Sequence, residues 1–254
     1  MGVPAELVNK FNPTIPIDQS IYEQSTTKKT QLGTRLEVGD RVFRYAKAGT
    51  GGLGISAGRI ACQVLAAGTH GGTFVTPAVA TTGATTLYAT VAGGAITVNT
   101  YEDGYWVFAG GTRAGETYKI KSCQGSGYSG TGLTAVPITL YDGVVGTVTA
   151  TSLSALMLNR YICAVSTGSQ SPVGVSLIDV TEGNYFWLQT KGPAGVIAAA
   201  TPASYTELAV GTTGAVIAAI ENGTAGDQLA SFVGRNGAEA GVAAKATPII
   251  LMLE

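Results

Sequence analysis

The sequence predicts an all-β protein: short antiparallel strands in sandwich- or barrel-like units, with an extended N-terminal arm. Two observations carry the β assignment. Turn signals recur every roughly eight to twelve residues, the rhythm of sandwiches and barrels. Several runs between them alternate with period two, as Val136, Ile138 and Leu140 do against Pro137, Thr139 and Tyr141. A third observation sets the first segment apart, because Pro4, Pro13 and Pro16 forbid a continuous helix there and favour extended backbone.

Residues 1–33 are therefore expected to form the arm. Phe11, Ile15, Ile17, Ile21 and Tyr22 are spaced too irregularly for one face of a helix or strand. Apolar side chains on an arm need a surface to lie on. Phe11, Ile15, Ile17 and Tyr22 are thus candidate assembly contacts with a neighbouring subunit or shell. Twelve charged residues fall within residues 1–47, and the composition changes after Lys47.

A β domain is expected over residues 34–145, and a second β domain, or a continuation of the first, over 146–254. Arg35–Val38 and Arg41–Tyr45 flank Gly39-Asp40, a pair suited to a tight hairpin. Thr86–Val91 and Ala95–Asn99 flank Gly93-Gly94 in the same way. Tyr105–Phe108, Thr117–Lys121, Val136–Tyr141, Val173–Leu177, Tyr185–Gln189 and Ile249–Leu253 read as further strands. Ser56–Ala67 is the one helix candidate, weakened by Gly58. Glu102–Phe108 echoes Thr181–Trp187, each an acidic-Gly turn feeding an aromatic strand. Trp106 and Trp187 are read as core anchors, since aromatic rings bury the most surface per side chain.

Composition bears on function. Charged residues make up 12% of the 254-residue chain, against about 25% for an ordinary soluble domain. Ile60–Tyr101 runs forty-two residues with no Lys, Arg, Asp or Glu. A freely diffusing protein relies on surface charge to stay apart from its neighbours, whereas a subunit packed in an assembly does not. A net charge of −1 without clustered Lys and Arg gives no nucleic-acid footprint. No long apolar run escapes Gly, Thr and Pro, so no membrane span and no secretory leader are expected. Cys62, Cys123 and Cys163 are odd in number and lack CxxC spacing, so they are read as buried free thiols.

Few residues are placed for catalysis. His70 is the single histidine, in Thr69-His70-Gly71-Gly72, with no nearby carboxylate in sequence to orient it. Asp40, Asp103 and Asp142 each adjoin a glycine, which is turn chemistry. Gly49–Gly54 matches GxGxxG, but no acidic residue lies near positions 69–75 to hold a ribose, so a dinucleotide site is not expected. Gly110–Gly115 lacks the Lys-Ser/Thr of a phosphate loop, and Asn222-Gly223-Thr224 reads as a turn. No catalytic residue, metal or cofactor is assigned, and activity dependent on His70 is not expected.

Leu36–Ala46, Tyr101–Trp106, Gly115–Lys121, Pro172–Val175 and Tyr185–Pro193, in this order behind a proline-broken arm, resemble structural proteins of tailed-bacteriophage heads. The resemblance is to the decoration, or cement, proteins that coat the capsid. It implies a non-enzymatic virion protein, made in the host cytoplasm and forming a homotrimer on the outer capsid surface. Its partner there would be the major capsid protein. Two alternatives stand beside it. One is another phage or surface-layer subunit, of coat, tail-tube or fibre type. The other is a carbohydrate-binding β domain stacking sugars on Tyr105, Trp106, Tyr185 and Trp187, which requires both Trp residues at the surface.

Overall fold

A computed structural model describes residues 18–49, 54–66, 70, 74–75, 79–90, 96–111, 113–125, 135–149, 152–165, 170–199, 201, 203, 207–218, 232–236 and 243–254. These residues are nearly all β. The first strands are β1 (Arg35–Val38), β2 (Arg41–Ala48), β3 (Ile60–Gln63), β4 (Phe74–Val75), β5 (Thr86–Thr90) and β6 (Tyr105–Phe108). Then come β7 (Thr117–Cys123), β8 (Ala135–Leu140), β9 (Leu153–Met157), β10 (Ile162–Val165) and β11 (Pro172–Ser176). The chain closes with β12 (Tyr185–Ile197), β13 (Glu207–Val210), β14 (Val216–Ala218), β15 (Phe232–Asn236) and β16 (Ala246–Met252).

Two compact units result, and their boundaries differ from the expected division at 145/146. Met1–Val64 and Arg160–Glu254 make one unit, and Leu65–Asn159 make the other. The second unit is an insertion between β3 and β10, which are themselves antiparallel neighbours, with Gln63 opposite Cys163.

The first unit holds a ten-stranded sheet in the order β1-β2-β10-β3-β11-β12-β16-β15-β13-β14. Because β12 also pairs with β2, strands β2, β10, β3, β11 and β12 form a closed five-stranded circuit. Its inward positions carry Ala46, Ala48, Ala61, Cys163, Val173, Phe186 and Leu188, all buried. So few strands leave a narrow interior, and small residues opposite large ones fill it. At Gly174, a Cβ would lie 2.5 Å from the Leu188 Cγ. A bulge between Pro172 and Gly174 turns both Val173 and Gly174 inward.

The outward positions of this circuit feed two further cores. Ile60, Cys62 and Val175 pack with Val196, Leu208, Val216, Val233 and Leu251, beneath the sheet extension β12-β16-β15-β13-β14. Phe43, Tyr45 and Trp187 pack with Ile21, Leu32 and Leu36. That third core corrects the arm. Residues 18–33 lie on the chain's own barrel, and the Gln19 side chain ties them down. Its Nε2 donates to the Tyr185 carbonyl at 3.0 Å, and its Oε1 accepts from the Tyr45 hydroxyl at 2.8 Å. The Gln19 carbonyl accepts from the Trp187 indole at 3.1 Å, and Ser25 bridges to Tyr185.

β12 has three partners, because Leu188 and Gln189 also pair with β11. Tyr185–Gln189 pair with β2, as does Lys191 beyond a bulge, and Lys191–Ile197 pair with β16. Pairing with β2 ends at Lys191, next to Gly192, which has φ +90° and whose missing Cβ would lie 2.5 Å from the Asp40 carbonyl oxygen.

The second unit holds a six-stranded sheet in the order β4-β9-β6-β7-β8-β5. Its end strands β4 and β5 approach within 8 Å at Cα, so the sheet curls toward closure. Trp106, Phe108, Tyr118, Ile120, Ile138, Leu140, Leu87 and Leu156 fill the concave side.

The hairpin at Gly39-Asp40 forms as read, with Val38 opposite Arg41. The helix expected at Ser56–Ala67 is absent, because Ile60–Gln63 is strand β3. Ile96–Asn99, expected as a strand, is loop and turn, and β5 pairs with β8 instead. The Gly93-Gly94 turn lies outside the described residues. Trp106 and Trp187 are both fully buried core anchors.

Candidate assembly surface

The convex side of the six-stranded sheet presents a row of large side chains to solvent. Alternation along β6, β7 and β9 sends Trp106, Ile120 and Leu156 inward and Tyr105, Lys119 and Met157 outward. Pairing aligns these outward residues in one row. Met157 is opposite Tyr105, and Tyr105 is opposite Lys119. Tyr141 ends the row: its N–H donates to the Lys119 carbonyl at 3.0 Å, and the Lys119 ammonium lies 5.8 Å from its ring centre. Met157 is 48% exposed, Tyr105 and Tyr141 37% each, and Leu153 at the other end of β9 39%.

The turn before β6 is fixed from several sides. Asp103 is fully buried with φ 60°, and its carboxylate accepts from the Tyr141 hydroxyl at 3.2 Å. Its carbonyl accepts from the Asn159 amide at 2.8 Å, and its N–H donates to the Ile120 carbonyl. Before β7, Glu116 accepts from Arg113 and from the Tyr118 hydroxyl, contacts that together hold its carboxyl below the usual range.

Of the sequence-derived contact residues, Tyr22 is 51% exposed on the segment that covers Trp187. Phe11, Ile15 and Ile17 lie outside the described residues. Sequence reasoning did not pick out the convex face as a contact surface. The alternation of Tyr105, Val107, Lys119 and Met157 was its available signal, but which side meets solvent depends on pairing among four strands.

His70 is buried, not looped into solvent. Its Nδ1 lies 2.8 Å from the Tyr101 hydroxyl, and its backbone carbonyl accepts from the Leu156 N–H. Burial pushes the Tyr101 phenol well above its ordinary value. The pair ties the chain at 70 and 101 to β9. No group of three or more His, Cys, Asp or Glu with metal-binding geometry occurs among the described residues. Of the glycine motif at 49–54, Gly49 donates its N–H to the Cys163 carbonyl, and residues 50–53 lie outside the described set.

All three cysteines are buried and unbridged. Cys163 lies in the barrel interior and Cys62 in the adjoining core, facing opposite sides of neighbouring strands. Burial pushes the Cys163 and Cys123 thiols up, away from the reactive thiolate. The native protein is expected to react negligibly with an aromatic disulfide reagent, and to release three equivalents of chromophore once denatured. Rapid reaction of the native chain would show that one of these cores opens.

Comparison of the chain with protein-family models, with curated proteins and with solved structures gives no significant match to any of them.

Proposed function

We propose that this chain is a non-enzymatic structural subunit of a virus shell, of the decoration type, binding the outer surface of an assembled capsid as a homotrimer. One observation carries the reading: a sheet face that presents Met157, Tyr105, Tyr141 and Leu153 to solvent. Clustered exposed apolar residues mark interaction sites in soluble proteins. The low charge supports it too, since 12% charged residues suit a chain whose surface is largely covered in use. The sugar-stacking alternative required Trp106 and Trp187 at the surface, and both are fully buried.

Sedimentation of the purified protein at micromolar concentration tests the oligomer. The expected species has three times the 25.7 kDa chain mass. A single monomeric boundary across that range would overturn the homotrimer and weaken the assembly reading. The mass of the native particle containing the chain would test the shell assignment itself.

A further inference from the structure

We infer that the outer face of the sheet extension β12-β16-β15-β13 is a two-fold contact with a second copy of this chain. The inference goes beyond the shell reading above and does not depend on it. Beyond Gly192, β12 sends Ala194 and Val196 into the core and Pro193 and Gly195 outward. β16 alternates in the same way, with Thr247, Ile249 and Leu251 buried and Pro248, Ile250 and Met252 exposed. Pairing sets Pro193 beside Ile250, Ile250 beside Arg235 and Arg235 beside Glu207, one outward row across four strands. Arg235 Nη2 donates to Glu207 Oε1 at 2.7 Å, and both side chains are exposed. Among the described residues, these two are the only charges at the outward positions of β13, β15, β16 and the part of β12 beyond Gly192. Lys191 and Lys245 stand at opposite ends of the β12–β16 ladder.

The row is neutral, so it offers no net field to nucleic acid or to a strongly charged protein. Its two opposite charges sit side by side, and that arrangement is complementary to itself. A two-fold axis running along the strands between β15 and β13 places each Arg235 against the other copy's Glu207. Such a contact makes residue i of one copy meet residue j of the other, and j meet i. Neither charge is left without its opposite when water is excluded, which is the costly outcome. The apolar part of the face loses little on docking. Pro193, Gly195 and Pro248 have no side-chain rotamers to freeze, and Ile250 has few. Met252 is flexible and adapts to the shape that meets it. A trimer closes instead through head-to-tail contacts between different patches, so the two-fold pairing would join two trimers or, without them, two single chains.

Charge reversal in the full chain, read by sedimentation velocity at micromolar concentration, tests the contact. Arg235→Glu sets like charges against each other in the pairing, and so does Glu207→Arg. Each variant alone is expected to weaken the pairing at least about tenfold. The observed mass then halves, from six chains to three or from two to one. An equal mixture of the two variants should pair again, because each reversed charge meets its opposite on the other copy. The double variant Arg235→Glu/Glu207→Arg should pair as the parent does. Ile250→Asp, at an exposed position, should weaken the pairing by a similar factor, and circular dichroism checks that every variant is folded. Recovery on mixing separates this contact from an ion pair that only holds β13 to β15, since a role within one chain is not rescued by another chain. The inference is overturned if the parent runs only as a monomer or an unpaired trimer, if either reversal alone pairs like the parent, or if the mixture pairs no better than its components.

Discussion

A chain lacking residues 1–33 is expected to lose the fold of the ten-stranded unit at temperatures where the full chain remains native. The deletion strips the cover from Phe43, Tyr45 and Trp187 and removes Ile21 and Leu32 from that core. Each buried aliphatic side chain contributes about 1.5–3 kcal/mol of transfer free energy, and three large aromatic rings would face water as well. The Trp187 indole and the Tyr45 hydroxyl would also lose Gln19. The Lys29 N–H, which donates to the same hydroxyl, would go with it. Tryptophan emission should shift to the red as Trp187 becomes hydrated, and the melting transition should drop or vanish. Ile21→Ala gives a milder form of the same result, at about 2–5 kcal/mol. A truncated chain melting with the parent would return residues 18–33 to the role of a dispensable arm.

Gly192→Val is expected to be the most damaging single substitution in the sheet. Two costs coincide there. The backbone sits at φ +90°, where a β-branched residue is strained by about 1–3 kcal/mol. The new Cβ would also meet the Asp40 carbonyl oxygen at 2.5 Å and the Arg41 Cα at 3.2 Å, and neither backbone atom can swing aside. Overpacking of that kind adds about 1–3 kcal/mol. A combined loss on the order of 3 kcal/mol or more lowers the melting temperature by about 6–12 °C for a chain of this size. Gly195→Ala, three residues along the same strand, is the control. Its Cβ would meet only the Ala246 Cβ at 3.8 Å, an ordinary contact. Equal destabilisation by the two changes would show that the positive φ and the close approach to Asp40 at Gly192 carry no special cost.

What the sequence made legible follows from how each strand is covered. β8, buried on one face, alternates cleanly and was read almost to its ends. β3 is buried on both faces, with Ala61 in the barrel and Ile60 and Cys62 in the next core, so its apolar run carries no period. The second half of β12, Lys191-Gly192-Pro193-Ala194-Gly195, has loop composition and becomes a strand only because β16 lies beside it. Residues 18–33 looked like an arm because they repeat nothing: Ile21 and Leu32 fill single pockets, and Gln19 bonds across more than a hundred residues of sequence. The convex face stayed hidden for a related reason. Tyr105 and Met157 lie on strands far apart in sequence, and only their pairing makes them neighbours.

The position of the second unit carries a consequence for how such a chain changes over generations. Gln63 faces Cys163 across a ladder, and the Val64 N–H donates to the Ile162 carbonyl at 3.0 Å. The chain thus leaves the barrel and returns to it at adjacent points. A tight reverse turn of a few residues would bridge those points, and so would any other domain with neighbouring termini. Residues 65–159 therefore behave as an exchangeable cassette. Two recombination junctions in that short stem would swap the whole six-stranded sheet in one event, with the ladders of the host barrel kept in register.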